Sequence, residues 1–175
     1  MLPILQLIVD TVASVLGGVL LLRFWMQAIR VRPPGSVAQF TFTLSDWLVK
    51  PLRRIVPGAG GYDWASLIGA FLVVMLATSI LFLIGASVEQ VLLVALARFV
   101  KWIIYGFIAL LIIEAIFSWV NPHAPLAPFV HALNGPLLRP IRKVVPPIGG
   151  LDLSVLVALL LLQIALYVLR TVVPV

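Results

Sequence analysis

The chain has 175 residues, of which 63% are apolar, only 10% are charged and none is cysteine; its mean hydropathy is +1.21. A soluble domain is about one quarter charged, and a chain this short leaves too much surface exposed for so few polar groups to cover. A water-soluble enzyme, a disordered tail and a disulfide scaffold are therefore excluded. The formal charge of +6 is carried by a few basic residues set among apolar ones, which points to anionic lipid and away from nucleic acid.

The first element in chain order is an apolar stretch over residues 5–29, and a helix needs about 20 such residues to cross a hydrocarbon core. No Lys or Arg precedes it, it is long, and no small-residue cleavage site follows, so it is not read as a signal peptide. Residues 30–63 form a long loop in which Val37, Phe40, Leu44, Trp47 and Leu48 recur at helical spacing, with Gln39, Ser45 and Asp46 between them. A segment this short lies in the interface or dips in and returns, and Pro51 is expected to end it. Residues 64–86 are the second apolar stretch and 102–120 the third; residues 89–101 between them read as a separate interfacial helix or as an extension of the third. The second long loop, 121–150, repeats the pattern with Leu126, Phe129, Val130, Leu133 and Leu137, expected to end at Pro140, and residues 151–173 are the fourth stretch. All four are continuous runs free of interior Pro, which favours helices over the short alternating strands of a barrel.

Four crossings place both long loops on one side. That side carries Arg30, Arg32, Lys50, Arg53, Arg54, Arg139, Arg142 and Lys143, against Arg98, Lys101 and Arg170 on the other. The positive-inside rule then makes the long loops cytoplasmic and leaves both termini outside. The expected location is a bacterial inner membrane, crossed several times.

The chain also repeats itself. Lys50-Pro-Leu-Arg-Arg-Ile-Val-Pro57 followed by Gly60-Gly-Tyr-Asp63 matches Arg139-Pro-Ile-Arg-Lys-Val-Val-Pro146 followed by Gly149-Gly-Leu-Asp152, at a constant offset of 89 residues from Lys50 to Arg139 and from Asp63 to Asp152. Shared punctuation in one register, without a gap, is the mark of a duplication. The expected fold is an all-α membrane protein with four transmembrane helices in two parallel repeats, 1–87 and 88–175. Each repeat carries an amphipathic interfacial or re-entrant cytoplasmic segment. Ala65-xxx-Gly69 and Ser154-xxx-Ala158 are equivalent small pairs, and small residues let helix backbones approach. They predict that the second and fourth membrane helices form the bundle centre.

The repeated motif resembles that of the YggT (YlmG) family, small inner-membrane proteins of bacteria and plastids. Pro136-Leu-Leu-Arg-Pro-Ile-Arg-Lys-Val-Val-Pro146 with Gly149-Gly-Leu-Asp152 is close to the family's form, and Leu20-Leu-Leu-Arg23-Phe-Trp25-Met-Gln27 resembles its first helix. The chain departs where the family has Asp-Pro before Leu-Leu: Gly135 replaces the Asp in the second copy, and Trp47 follows Asp46 in the first. The resemblance implies links to osmotic stress, potassium uptake and cell-division genes in bacteria, and to nucleoid distribution and haem attachment to cytochrome b6 in plants. No molecular activity comes with it.

Ionisable residues inside membrane spans are the leading functional candidates, since each costs about 2.5–3.5 kcal/mol at a helix centre. Arg23 and Glu114 qualify. Both lie about 9 Å from the cytoplasmic ends of their helices at 1.5 Å per residue, so an ion pair between the first and third spans is expected, with snorkelling as the plainer reading for Arg23 and a hydrogen bond to Ser118 for Glu114. Asp63 and Asp152 follow Gly-Gly and open helices, as N-caps or as partners of Arg53 and Arg142. The basic turns Arg53-Arg54 and Arg142-Lys143 would meet anionic phospholipid heads or an acidic partner. His123 and His131 have no carboxylate close in sequence, so neither a zinc site nor an axial haem ligand is expected. No catalytic motif appears, no cofactor is expected, and an enzyme is not expected. Two functions fit. One is an accessory protein, a scaffold or assembly factor with a membrane-protein partner; the other is a channel or transporter subunit for a small ion such as potassium, formed as a homo-oligomer.

Overall fold

The computed structural model describes residues 2–145 and 152–173. Six helices follow one another: α1 (Leu2–Ala28), α2 (Gly35–Ile55), α3 (Trp64–Thr78), α4 (Val88–Val120), α5 (Ala127–Val144) and α6 (Leu153–Val172). A 3₁₀ turn, Ser79–Ile84, prolongs α3. Four segments are long and apolar enough to cross a membrane, namely Ile4–Ala28, Trp64–Ile84, Val88–Val120 and Leu153–Val172. The protein thus has the helices of a multi-pass membrane protein. Pro146, Gly149, Gly150 and Leu151, which belong to the second copy of the sequence motif, lie outside the described residues.

Local chemistry sets the helix ends. Gly85 takes the left-handed conformation (φ 85°) that closes the 3₁₀ turn and accommodates few other residues. Ser87 and Gln90 then form a reciprocal capping box that starts α4. This cap decides the status of residues 89–101: they belong to one continuous helix with the third span. At 1.5 Å per residue its 33 residues reach about 50 Å, longer than a hydrocarbon core of about 30 Å.

Two expectations are corrected by the helix boundaries and the packing. Pro51 and Pro140 do not end their helices; α2 continues to Ile55 and α5 runs through Pro136 and Pro140 to Val144. All three prolines lie on exposed faces, where the carbonyl each leaves without its helical donor can meet water or headgroups. The bundle centre is also different from the one the small pairs suggest. α3 is central, packed on α1, α2 and α4, whereas α6 packs chiefly on α4 and α5, and α4 touches α1, α3, α5 and α6. Ala65 and Gly69 do bring α3 close to its neighbours, Gly69 facing Leu48, Leu52 and Leu20. Ser154 and Ala158 are buried too, but against α4 and α5, in a cluster with Leu111 and Leu138. Small pairs therefore mark contacts within each half and do not make α6 central.

The core follows from this packing. Leu20, Val49, Ala65, Ala70 and Val73 join α1, α2 and α3, with Phe99 and Trp102 of α4 leaning on them. Gly17 of α1 lies flat against the Trp102 ring, which leaves no room for a β-carbon.

Candidate functional site

Two clusters of charged side chains are built where α2 and α5 meet the spans. In the first, α1 delivers Arg23, only 6% exposed. Its Nη1 donates to Ser45 Oγ at 2.6 Å and to Asp46 Oδ1 at 2.7 Å, and its Nε lies 3.5 Å from Asp63 Oδ2. The guanidinium also sits 4.8 Å from the centre of the Phe42 ring. Lys50, one turn after Asp46, pairs with the other oxygen of that carboxylate at 2.9 Å.

Gly60 and Gly61, both at positive φ, fold the loop after α2 back so that Asp63 reaches the end of the helix that precedes it. Asp63 caps α3, accepting from the Ser66 backbone and hydroxyl, and Arg53 Nη2 donates to its Oδ2 at 2.6 Å. Burial pushes the Asp63 carboxyl up, but the bonds from Arg53 and Ser66 and the charges of Arg53 and Arg23 outweigh it and hold the group below its ordinary value. Bonds from Lys50 and Arg23 likewise hold Asp46 low.

The second cluster starts from α4, which delivers Glu114, 8% exposed. Glu114 Oε1 lies 2.9 Å from His131 Nδ1 and 3.3 Å from Arg142 Nη2, both on α5. Arg142 also binds Asp152, through Nη2 at 2.7 Å and Nε at 2.9 Å. Asp152 caps α6 through the Ser154 backbone at 3.0 Å and accepts from the Ser154 hydroxyl. Burial raises the Asp152 carboxyl, and the Ser154 and Arg142 bonds bring it below its ordinary value. Glu114 Oε2 is buried without a donor, a deficit that costs about 1–3 kcal/mol.

The structure therefore separates Arg23 and Glu114, which the sequence reading pairs. Each is paired inside its own half, because the loop helix of that half brings the complementary group closer: Asp46 for Arg23, Arg142 for Glu114. Ser118 is not the partner of Glu114, and His131, which looks isolated in sequence, has a carboxylate beside it because α5 folds back along α4. Asp63 with Arg53 and Asp152 with Arg142 are brought together. Arg54 and Lys143 end α2 and α5 exposed. The link between halves lies elsewhere. Asp10 of α1 meets Arg98 of α4 at 2.8 Å near the other end of the bundle, and Trp25 Nε1 of α1 donates to the Leu133 carbonyl of α5 at 2.9 Å. No sequence pattern joins those residues.

Both clusters open into crevices. One of about 440 Å³ is lined by Arg23, Phe42, Asp46, Lys50 and Arg53; another, of about 630 Å³, by Glu114, His131, Arg142 and Asp152 together with apolar side chains of α4 and α6. Among the described residues no group of three or more His, Cys, Asp or Glu is placed to hold a metal ion.

Comparison with known proteins matches residues 1–84 and 93–173 to the family described as CCB3/YggT. The chain is 38% identical to an uncharacterized protein of Pseudomonas aeruginosa, covering 90% of this chain and 83% of that one. It is 33% identical to an uncharacterized Vibrio alginolyticus protein encoded in the proC 3′ region, with coverage of 92% and 90%. The uncharacterized protein YggT of Escherichia coli K12 is 32% identical, with coverage of 91% and 86%. No solved structure matches.

Proposed function

The chain belongs to the CCB3/YggT family, and we propose that it is an integral accessory protein of the bacterial inner membrane, without catalytic activity of its own. In this reading it is a scaffold or assembly factor that holds a membrane-protein partner on the surface formed by α2 and α5. The two halves act as parallel repeats, each a helix, an amphipathic cytoplasmic segment and a second helix. The termini lie outside, and the basic turns Arg53-Arg54 and Arg142-Lys143 rest on anionic phospholipid. A contribution to osmotic or envelope stress tolerance, or to assembly of a membrane complex, follows from such a role.

One observation carries the reading. Thr41 and Ser45, one turn apart on α2, are buried, Ser45 against Arg23, while Phe40 and Trp47 are turned outward at 56% and 64% exposure. An apolar face held outward by a buried polar anchor is presented to something, and α2 is amphipathic and lies outside the four spans. The buried charges of the spans, Arg23 and Glu114, are meanwhile engaged in side-chain pairs, which supports holding over conducting.

A photo-crosslinker at position 43, exposed between them, tests this in native membranes. A reproducible partner, lost when Phe40 and Trp47 are both changed to Ser, is expected. The competing reading is an oligomeric channel subunit. Ion-selective flux through proteoliposomes of the pure protein, abolished by Glu114→Gln, would replace the scaffold with that reading. The chain has no cysteine, so single cysteines at 54 and 143 report topology directly; both should react from the cytoplasmic side.

A further inference from the structure

The crevice bounded by α4, α5 and α6 holds more negative charge than its own cations neutralise. Glu114 and Asp152 share one guanidinium, that of Arg142, at 3.3 and 2.7 Å. His131 beside them adds a charge only when protonated. Arg139 and Lys143, the other cations of α5, are exposed and do not line the crevice. Glu114 is more than nine-tenths buried, and its Oε2 has no hydrogen-bond donor. Away from the charges the walls are apolar, and Trp119 and Leu156 stand 75% and 59% exposed where surrounding lipid would reach them.

We propose that this crevice binds a phospholipid bearing a primary ammonium group, an ethanolamine headgroup, with the ammonium at Glu114 and an acyl chain along α4 and α6. Three properties select that chemistry. An ammonium neutralises the surplus carboxylate and supplies the N–H donor that Glu114 Oε2 lacks. A crevice of about 630 Å³ is of the size that binds small organic ligands, and its apolar wall suits a chain. A bare calcium or magnesium ion would need six or more oxygen ligands, whereas both carboxylates here are already bonded to Arg142. The equivalent region of the first half lacks this surplus: there Arg23 stands where the second half has an acid, between Asp46 and Asp63.

Native mass spectrometry of the full chain, released from nanodiscs of mixed lipid, tests the proposal. Phosphatidylethanolamine should be retained about tenfold over phosphatidylcholine, whose quaternary head has no N–H, with the N-methylated lipids between them. Glu114→Gln should bring that ratio close to one, and Leu156→Trp, which fills the apolar arm from an exposed position, should reduce retention of the lipid. Equal retention of the two lipids by the unaltered protein would overturn the proposal, as would a preference for ethanolamine over choline heads that survives Glu114→Gln. Displacement by soluble phosphoethanolamine at lipid-like concentration would assign the site to a free amine and overturn the lipid. The lipid comparison on unaltered protein stands even if a variant fails to fold.

Discussion

Arg53 reaches Asp63 and Arg142 reaches Asp152 across the same ten residues, yet the spans before these pairs bring opposite charges to them, Arg23 in the first half and Glu114 in the second. The neighbours change to suit. α2 buries Thr41, Ser45 and Val49 and turns Phe40 and Trp47 out, whereas α5 buries Val130, Leu133, Asn134, Gly135 and Leu138. The first cluster sets two carboxylates among two guanidiniums and the Lys50 ammonium and leaves a donor, Arg23 Nε, without a hydrogen-bond acceptor, while the second leaves a carboxylate oxygen without a donor. One local frame therefore supports a crevice rich in cations in one half and a crevice rich in carboxylates in the other.

Removing the buried charge is the largest way to break this symmetry of frame. Arg23→Leu leaves Asp46 with Lys50 alone and Asp63 with Arg53 alone, and breaking a buried pair from one side costs up to about 3–5 kcal/mol. The variant should lose most of its folded yield in detergent. Glu114→Gln keeps hydrogen-bonding capacity and removes a surplus charge, so its cost should stay below about 1 kcal/mol in the same thermal assay. The double change Arg23→Glu with Glu114→Arg should show no rescue, because the two residues meet different partners. Rescue would mean that the halves exchange contacts the structure keeps apart.

Next in size are the two caps. Asn caps a helix nearly as well as Asp, so Asp63→Asn and Asp152→Asn isolate the ion pairs. Asp63 has a side chain 2% exposed and should cost about 2–3 kcal/mol; Asp152, at 35%, should cost under about 1 kcal/mol. Equal losses would erase the distinction between a buried and a half-solvated pair.

Acid should act in the same order. Asp46, Asp63 and Asp152 all titrate below their ordinary value in the folded protein. Their stabilisation is complete above the unfolded value, about pH 4, and is lost as the pH falls through the lower folded values. Thermal stability followed by tryptophan fluorescence should be insensitive to these groups from pH 8 to 5 and decline below about 4. Asp63→Asn should flatten that decline more than Asp152→Asn does.

Much of the architecture was legible in the sequence because composition and run length reflect the solvent: the four spans, the capping aspartates and their arginines are all local patterns. Other features were not. Pro51 and Pro140 look like helix breakers, and only their exposed positions explain why α2 and α5 continue. Arg23 and Glu114 lie at matching depth, but depth along a helix says nothing about which face each presents. The outward aromatics of α2 depend on Arg23 claiming Ser45 and Asp46, a contact across 22 and 23 residues. The place of His131 beside Glu114 likewise depends on a fold-back that periodicity does not encode.

The most local expected effect concerns what joins the halves at the cluster end. Trp25 donates from α1 to the Leu133 carbonyl of α5 and meets the Phe107 ring of α4 edge to face, with centroids 5.1 Å apart. Trp25→Phe keeps an aromatic ring and removes the N–H, so the loss should be about 1 kcal/mol. Because the carbonyl lies on α5, a local readout is sharper than global stability. Amide exchange should rise in α5, while α2, which is anchored independently by Arg23, should stay protected. Equal deprotection of α2 and α5 would show that the halves open as one unit, and the contrast between an anchored helix and a tethered one would not hold.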